Sequence, residues 1–257
     1  VDNVLVTPFN DVTAIERLLR ARGSDVAAVI IEPVMGSAGM LPADTAYLRA
    51  LRELTTEHGA LLIFDEVMSF RLERGGYQEQ AGVRPDITSF AKIIGGGFPV
   101  GAFGGRANVM EQFDPHRPAP LWQSGTFNGN LITMAAGVAA MEEYPGEEVA
   151  RINALGERLR SGLRAELADQ GVTGTVTGYG SFAGLHLGAE KVRVYRDAAA
   201  NDKGLARLMH LALLLEGVYV APRLMMCTST PMTTATVDDV LAAFGRALRA
   251  IHPALVA

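Results

Sequence analysis

Cysteine is nearly missing from the 257 residues, Cys227 being the single one. An intrachain disulfide and a cysteine-based zinc site are thereby excluded, and a reducing cytosol is the simplest compartment. Long apolar runs are missing too. The greasiest stretch, Leu208 to Pro222, is short and broken by His210 and Glu216, so no membrane-crossing segment is expected. The net charge of −5 comes without a long run of one sign, which argues against a nucleic-acid surface. The start, Val1-Asp2-Asn3-Val4, has no initiator Met, no basic start and no apolar run, so it is not a signal peptide. It begins mid-pattern, and a piece of a longer chain is expected. His58, His116, His186, His210 and His252 lack metal-ligand spacing and read as ordinary surface or capping histidines; no metal site is expected. No serine sits in a G-x-S-x-G elbow, and neither a Walker A loop nor G-x-G-x-x-G occurs.

What is present is ordinary for a globular protein with a sizeable core: 49% hydrophobic and 20% charged residues. The apolar run Val26 to Ile31 predicts a strand covered on both faces, and Leu61 to Phe64 predicts another. Between them Tyr47, Leu48, Leu51 and Leu54 recur at helical spacing behind Asp44, a plausible N-cap. Strand, helix, strand in that order is a βαβ unit of a parallel sheet, whose ligands bind beyond the carboxyl ends of its strands. Glu32 and Asp65 stand at two such ends. An Ala/Met-rich helix is predicted over Asn130 to Glu143. A long one follows over Glu147 to Gln170, with Val149, Ile152, Leu155, Leu159, Leu163 and Leu167 on one stripe. Strands are predicted at Val172 to Thr177, Ser181 to Leu187 and Val218 to Ala221, and helices around Leu205 to Leu215 and Val237 to Ile251. The expected organisation is α/β: residues 1–145 as part of a large, mainly parallel-sheet domain, and 146–257 as a smaller α+β domain entered through the long connecting helix.

Lysine is scarce: of 23 basic residues only Lys92, Lys191 and Lys203 are lysine. Lys191 and Lys203 lie in polar surroundings and read as solvated surface charges. Lys92 follows the apolar Ile87 to Ala91 and precedes Ile93-Ile94-Gly95-Gly96-Gly97. Burying an unpaired ammonium is costly, and desolvation lowers an amine's pKa, as a nucleophilic lysine requires. A lysine snorkelling from a strand end is the alternative that composition leaves open. The glycines after it, together with Gly101, Gly104 and Gly105, permit close backbone approach to a ligand, a weak signal alone.

Four segments taken together are specific: Ile31-Glu32-Pro33, Phe64-Asp65-Glu66-Val67, Ala91 to Ala102 (AKIIGGGFPVGA) and Ser124-Gly125-Thr126-Phe127. Their order and spacing resemble the class III aminotransferases, in the subgroup of glutamate-1-semialdehyde aminomutase and the β-amino-acid transaminases, over nearly the whole chain. The resemblance implies PLP-transferase fold type I and pyridoxal 5′-phosphate as cofactor. It implies Lys92 as the Schiff-base lysine and proton shuttle, and Asp65 as partner of the pyridine nitrogen. It further implies Val67 against one ring face and Thr126 at the cofactor phosphate, reaching across from the partner of a homodimer with shared active sites. The family's first phosphate loop and its stacking aromatic lie upstream of the acid. Neither is found in the 64 residues before Asp65, so this chain alone is not expected to complete the cofactor site.

Near Val220-Ala221-Pro222 the aminomutase carries an acidic/glycine stretch, whereas this chain reads Arg223-Leu224-Met225-Met226. An arginine there resembles the β-amino-acid transaminases and could clamp a substrate carboxylate bidentately; a surface or interface ion pair is the plainer reading. Trp122 is expected at the subunit interface, and Met225-Met226 in the core or lining a pocket. The expected function is ping-pong amino transfer from an amino acid, β-amino acids first, to an α-keto acid. An aminomutase-like enzyme, or a truncated, non-catalytic dimerisation or binding module, is the alternative. The expected location is cytoplasmic.

Overall fold

The computed structural model describes residues 3–255. The chain folds into two compact units. One comprises the chain up to Pro33 together with Asp44–Gly146; the other comprises Val34–Ala43 together with everything from Glu147 onward.

In the first unit, helix α1 (Val12–Arg22) starts where the Asp11 side chain accepts from the Ala14 amide at 2.9 Å, and it buries Ile15 and Leu19. Strand β1 (Ala28–Ile31) follows. The chain then makes the short antiparallel strands β2 (Val34–Met35) and β3 (Leu41–Pro42) of the other unit before returning as α2 (Thr45–Glu57). Asp44 occupies the N-cap of α2 with extended backbone, but its side chain makes no capping bond. Its amide donates to Asn10 Oδ1 at 2.9 Å instead. Next come β4 (Leu61–Asp65), α3 (Tyr77–Ala81), β5 (Ile87–Ala91), the glycine-rich β6 (Gly101–Gly105), the short α4 (Ala107–Met110) and α5 (Leu131–Glu142).

The four larger strands form one sheet in the order β1-β4-β5-β6, parallel except for β6. The βαβ unit read from the sequence is thus present. β1, however, is not covered on both faces: it is an edge strand, and Ile30 is 66% exposed. Position in the sheet, which apolar character alone does not encode, decides this. The core of the unit gathers Leu19, Leu48, Leu51, Leu62, Phe64 and Leu72, all fully buried.

The second unit is built on α6 (Gly146–Asp169), whose stripe of Val149, Ile152, Leu155, Leu159, Leu163 and Leu167 is buried throughout. Against it lie the antiparallel strands β7 (Gly174–Thr177), β8 (Phe182–Leu187) and β9 (Met225–Cys227), with α7 (Tyr195–Ala199), α8 (Lys203–Leu215) and α9 (Thr234–Leu255). The strand expected at Val218 to Ala221 does not form. The Val218 amide turns back to Leu213 O at 2.8 Å and Leu224 closes a turn onto Ala221 O at 2.7 Å, so Met225–Cys227 pairs with β8 in its place. Met226 packs against the core.

His186, expected at the surface, is 5% exposed on β8. Its Nδ1 lies 2.6 Å from Asn201 Nδ2, and its Nε2 lies 3.0 Å from Thr177 Oγ1 and 3.2 Å from Gly39 O. A β8 position facing the hairpin turn, invisible in linear spacing, explains the burial. Among the described residues no helix is long and apolar enough to cross a membrane.

Candidate active site

β4 and β5 run parallel and in register, with Asp65 opposite Ser89, so their carboxyl ends adjoin. Asp65 is the last residue of β4 and is half-buried. Its Oδ1 accepts from the Val67 amide at 3.0 Å and from Ser89 Oγ at 3.1 Å. Oδ2 has no hydrogen-bond partner among the described residues. One carboxylate oxygen is therefore fixed and the other is available to a cationic donor. The Ser89 contact was missed in the sequence. Its signal is the strand register, which brings the residue three before Lys92 opposite the acid.

Lys92 opens a turn of 3-10 helix, Lys92–Gly95, directly after β5. Its side chain is exposed rather than sunk in the apolar setting expected, because the turn carries it off the end of the sheet. Its backbone has φ +54°, left-handed and sparsely used by residues other than glycine. The turn is pressed onto α5. A β-carbon on Gly96 (φ +57°) would lie 2.2 Å from Ala136 O, and one on Gly137 the same distance from Ile94 O, so both positions must be glycine for the elements to meet.

α5 in turn is capped by Asn130 Oδ1, which accepts from the Ile132 and Thr133 amides at 3.1 and 3.2 Å. Thr126 lies in the loop just before that cap. It is exposed and makes no hydrogen bond among the described residues. Val67 is half-buried beside Asp65. Asp65 and Val67 thus stand at the end of β4 and Lys92 directly after β5, while Thr126 lies on the loop before α5 of the same unit.

Arg223 belongs to the second unit. It is exposed on the turn before β9, and its Nη1 donates to Ser37 O at 3.4 Å. The next residue, Leu224, is fully buried with φ +56°, so a strained, anchored backbone holds the arginine in place.

The mainly parallel sheet is the fold type I aminotransferase architecture of the solved structures that this chain matches. Residues 6–247 match the family Aminotransferase class-III, and the chain belongs to it. Its relatives include the β-phenylalanine transaminase of Variovorax paradoxus, 43% identical over 242 residues, covering 94% of this chain and 56% of the relative. The glutamate-1-semialdehyde 2,1-aminomutase of Sorangium cellulosum is 42% identical over 219 residues, with 85% and 50% covered. Among solved structures, an ω-transaminase from Sphaerobacter thermophilus matches with TM-score 0.92 at 44% identity, over 96% of this chain and 57% of that one. The V. paradoxus β-phenylalanine aminotransferase matches with TM-score 0.94 at 41% identity, over 98% and 58%. The chain spans little more than half the length of the relatives it matches.

Proposed function

We propose that this chain carries the lysine and acid of a pyridoxal-phosphate-dependent aminotransferase that moves an amino group from a β-amino acid or related amino acid to an α-keto acid. The observation that carries the proposal is an aspartate at the end of β4, with Oδ1 occupied and Oδ2 not, and a lysine directly after the adjacent β5. This donor set fits the cofactor: an amine to bond an aldehyde and a free carboxylate oxygen for a ring N–H. When bound, pyridoxal phosphate supplies the aldehyde that captures amines and the protonated ring that draws electrons from the substrate carbon. Asp65 Oδ2 would accept from the ring nitrogen and keep the proton there. Lys92 Nζ would take the proton from the substrate carbon and return it one position away. Val67 would pack on a ring face, and Thr126 would bind phosphate in the site of a second copy of this chain. Arg223 receives a substrate carboxylate with its planar fork. The keto-acid acceptor runs the same steps backwards.

The similarity to the Sorangium aminomutase supports a second reading, in which the amino group is returned within one substrate. Arg223 favours the transaminase, because a carboxylate-binding arginine suits the exchange of two acidic substrates.

In the full-length protein, incubation with pyridoxal phosphate, borohydride reduction and peptide mapping is expected to place the pyridoxyl mark on Lys92, while this chain alone should stay unmarked. Lys92→Ala should lose the mark and about 10³-fold or more in amino transfer. A mark on Lys191 or Lys203, or transfer surviving in Lys92→Ala, would overturn the reading.

A further inference from the structure

Glu66 follows the candidate cofactor acid and has no part in the steps above, yet it is 0% exposed. Its amide extends the β4–β5 ladder by donating to Ser89 O at 3.1 Å. Its carboxyl is enclosed by four donors from the segment that follows. Oε2 accepts from the Tyr77 amide at 2.5 Å and Ser69 Oγ at 3.1 Å; Oε1 accepts from the Gln78 amide and Gln78 Nε2, both at 3.1 Å. Burial pushes this carboxyl above the usual carboxylate range, while the donors pull it back. Gly76 makes room for it: φ is +80°, and a β-carbon there would lie 2.8 Å from Oε1. The far side of the loop is fastened by Tyr144 Oη, which donates to Arg71 O at 2.9 Å, and by Phe70 edge-on to Phe90 at 5.0 Å.

Val67 lies inside this closed loop, and its amide occupies Asp65 Oδ1. We infer that Glu66 is a positioning residue for Asp65: its buried carboxyl closes the 66–78 loop, and the closed loop sets the Val67 amide that orients the acid. The consequence for catalysis rests on the cofactor reading above; the clamp does not.

Glu66→Gln keeps the side chain's shape but turns one oxygen into an NH₂ group facing the Tyr77 or Gln78 amide, donor against donor. Hydrogen exchange of the purified protein, read by mass spectrometry, is expected to rise about tenfold across residues 66–80 and to stay unchanged in α2. In the full-length protein with pyridoxal phosphate bound, the pH midpoint of the cofactor's absorbance should shift, and kcat should fall about tenfold with KM within about twofold. Unchanged exchange overturns the clamp. Faster exchange with a wild-type absorbance profile and kcat overturns the link to Asp65. A full-length wild-type protein that shows no cofactor absorbance removes the proposed function, and exchange alone then decides the clamp. Should Glu66→Gln fail to fold, Glu66→Asp keeps an acceptor carboxylate one methylene short, and exchange intermediate between wild type and fully open is the expected result.

Discussion

Lys92, the proposed Schiff-base lysine, stands on a backbone that side chains avoid. At φ +54° a β-carbon costs about 1–2 kcal/mol, which only glycine escapes. Lys92→Gly should therefore be more stable than Lys92→Ala by about 1 kcal/mol in urea unfolding, although both lack the amine. Equal stabilities would show that the turn relaxes when the lysine is removed. His186 offers a second test. Burial holds its imidazole below the ordinary histidine value of about 6.5. Above that pH it is neutral in both the folded and the unfolded chain. Below it the unfolded chain takes up a proton that the folded one refuses, so stability falls as pH falls, by at most about 1.4 kcal/mol per pH unit. Urea midpoints at pH 7.5 and 5.5 should drop less in His186→Gln than in wild type. Equal drops would assign the loss to other groups.

At the scale of elements, α5 is apolar on every side, yet it leaves Leu131 84% exposed, with Ile132 and Val138 also outward. Trp122 and Phe127, on the loop that leads to it, are exposed as well. Exposed apolar residues of this size suit an interface, and the proposed occupant is a second copy of the chain, receiving Thr126 with it. Leu131→Glu places a carboxylate in the first turn, where the helix dipole welcomes it, so the helix itself should hold. Sedimentation is expected to show the variant as a monomer beside a dimeric wild type. An unchanged mass would separate this face from self-association. Elements with strong periodicity were legible from the sequence, as the α6 stripe shows. The β1 edge and the displaced β9 were not, because exposure and pairing depend on neighbours distant in sequence. Within the proposed site, Lys92 and Asp65 were named from apolar neighbours and linked motifs. The bonds of Ser89 and Glu66 were not legible, since they arise from register and from a loop folding back on itself.

For the molecule as a whole, the chain passes between its two units at Pro33, at Ala43 and at Gly146. The hairpin of β2 and β3 is held in the second unit by Thr177 Oγ1, which donates to Gly39 O at 2.5 Å, beside His186. During synthesis this hairpin emerges about one hundred residues ahead of the unit it completes, a gap on the order of 10 s at about 5–20 residues per second. Through that interval Val34 and Leu41, fully buried in the finished fold, have nowhere to go. The first unit also cannot be made as one uninterrupted stretch. On the ribosome, the early hairpin is therefore left without its packing partners until the later unit is made.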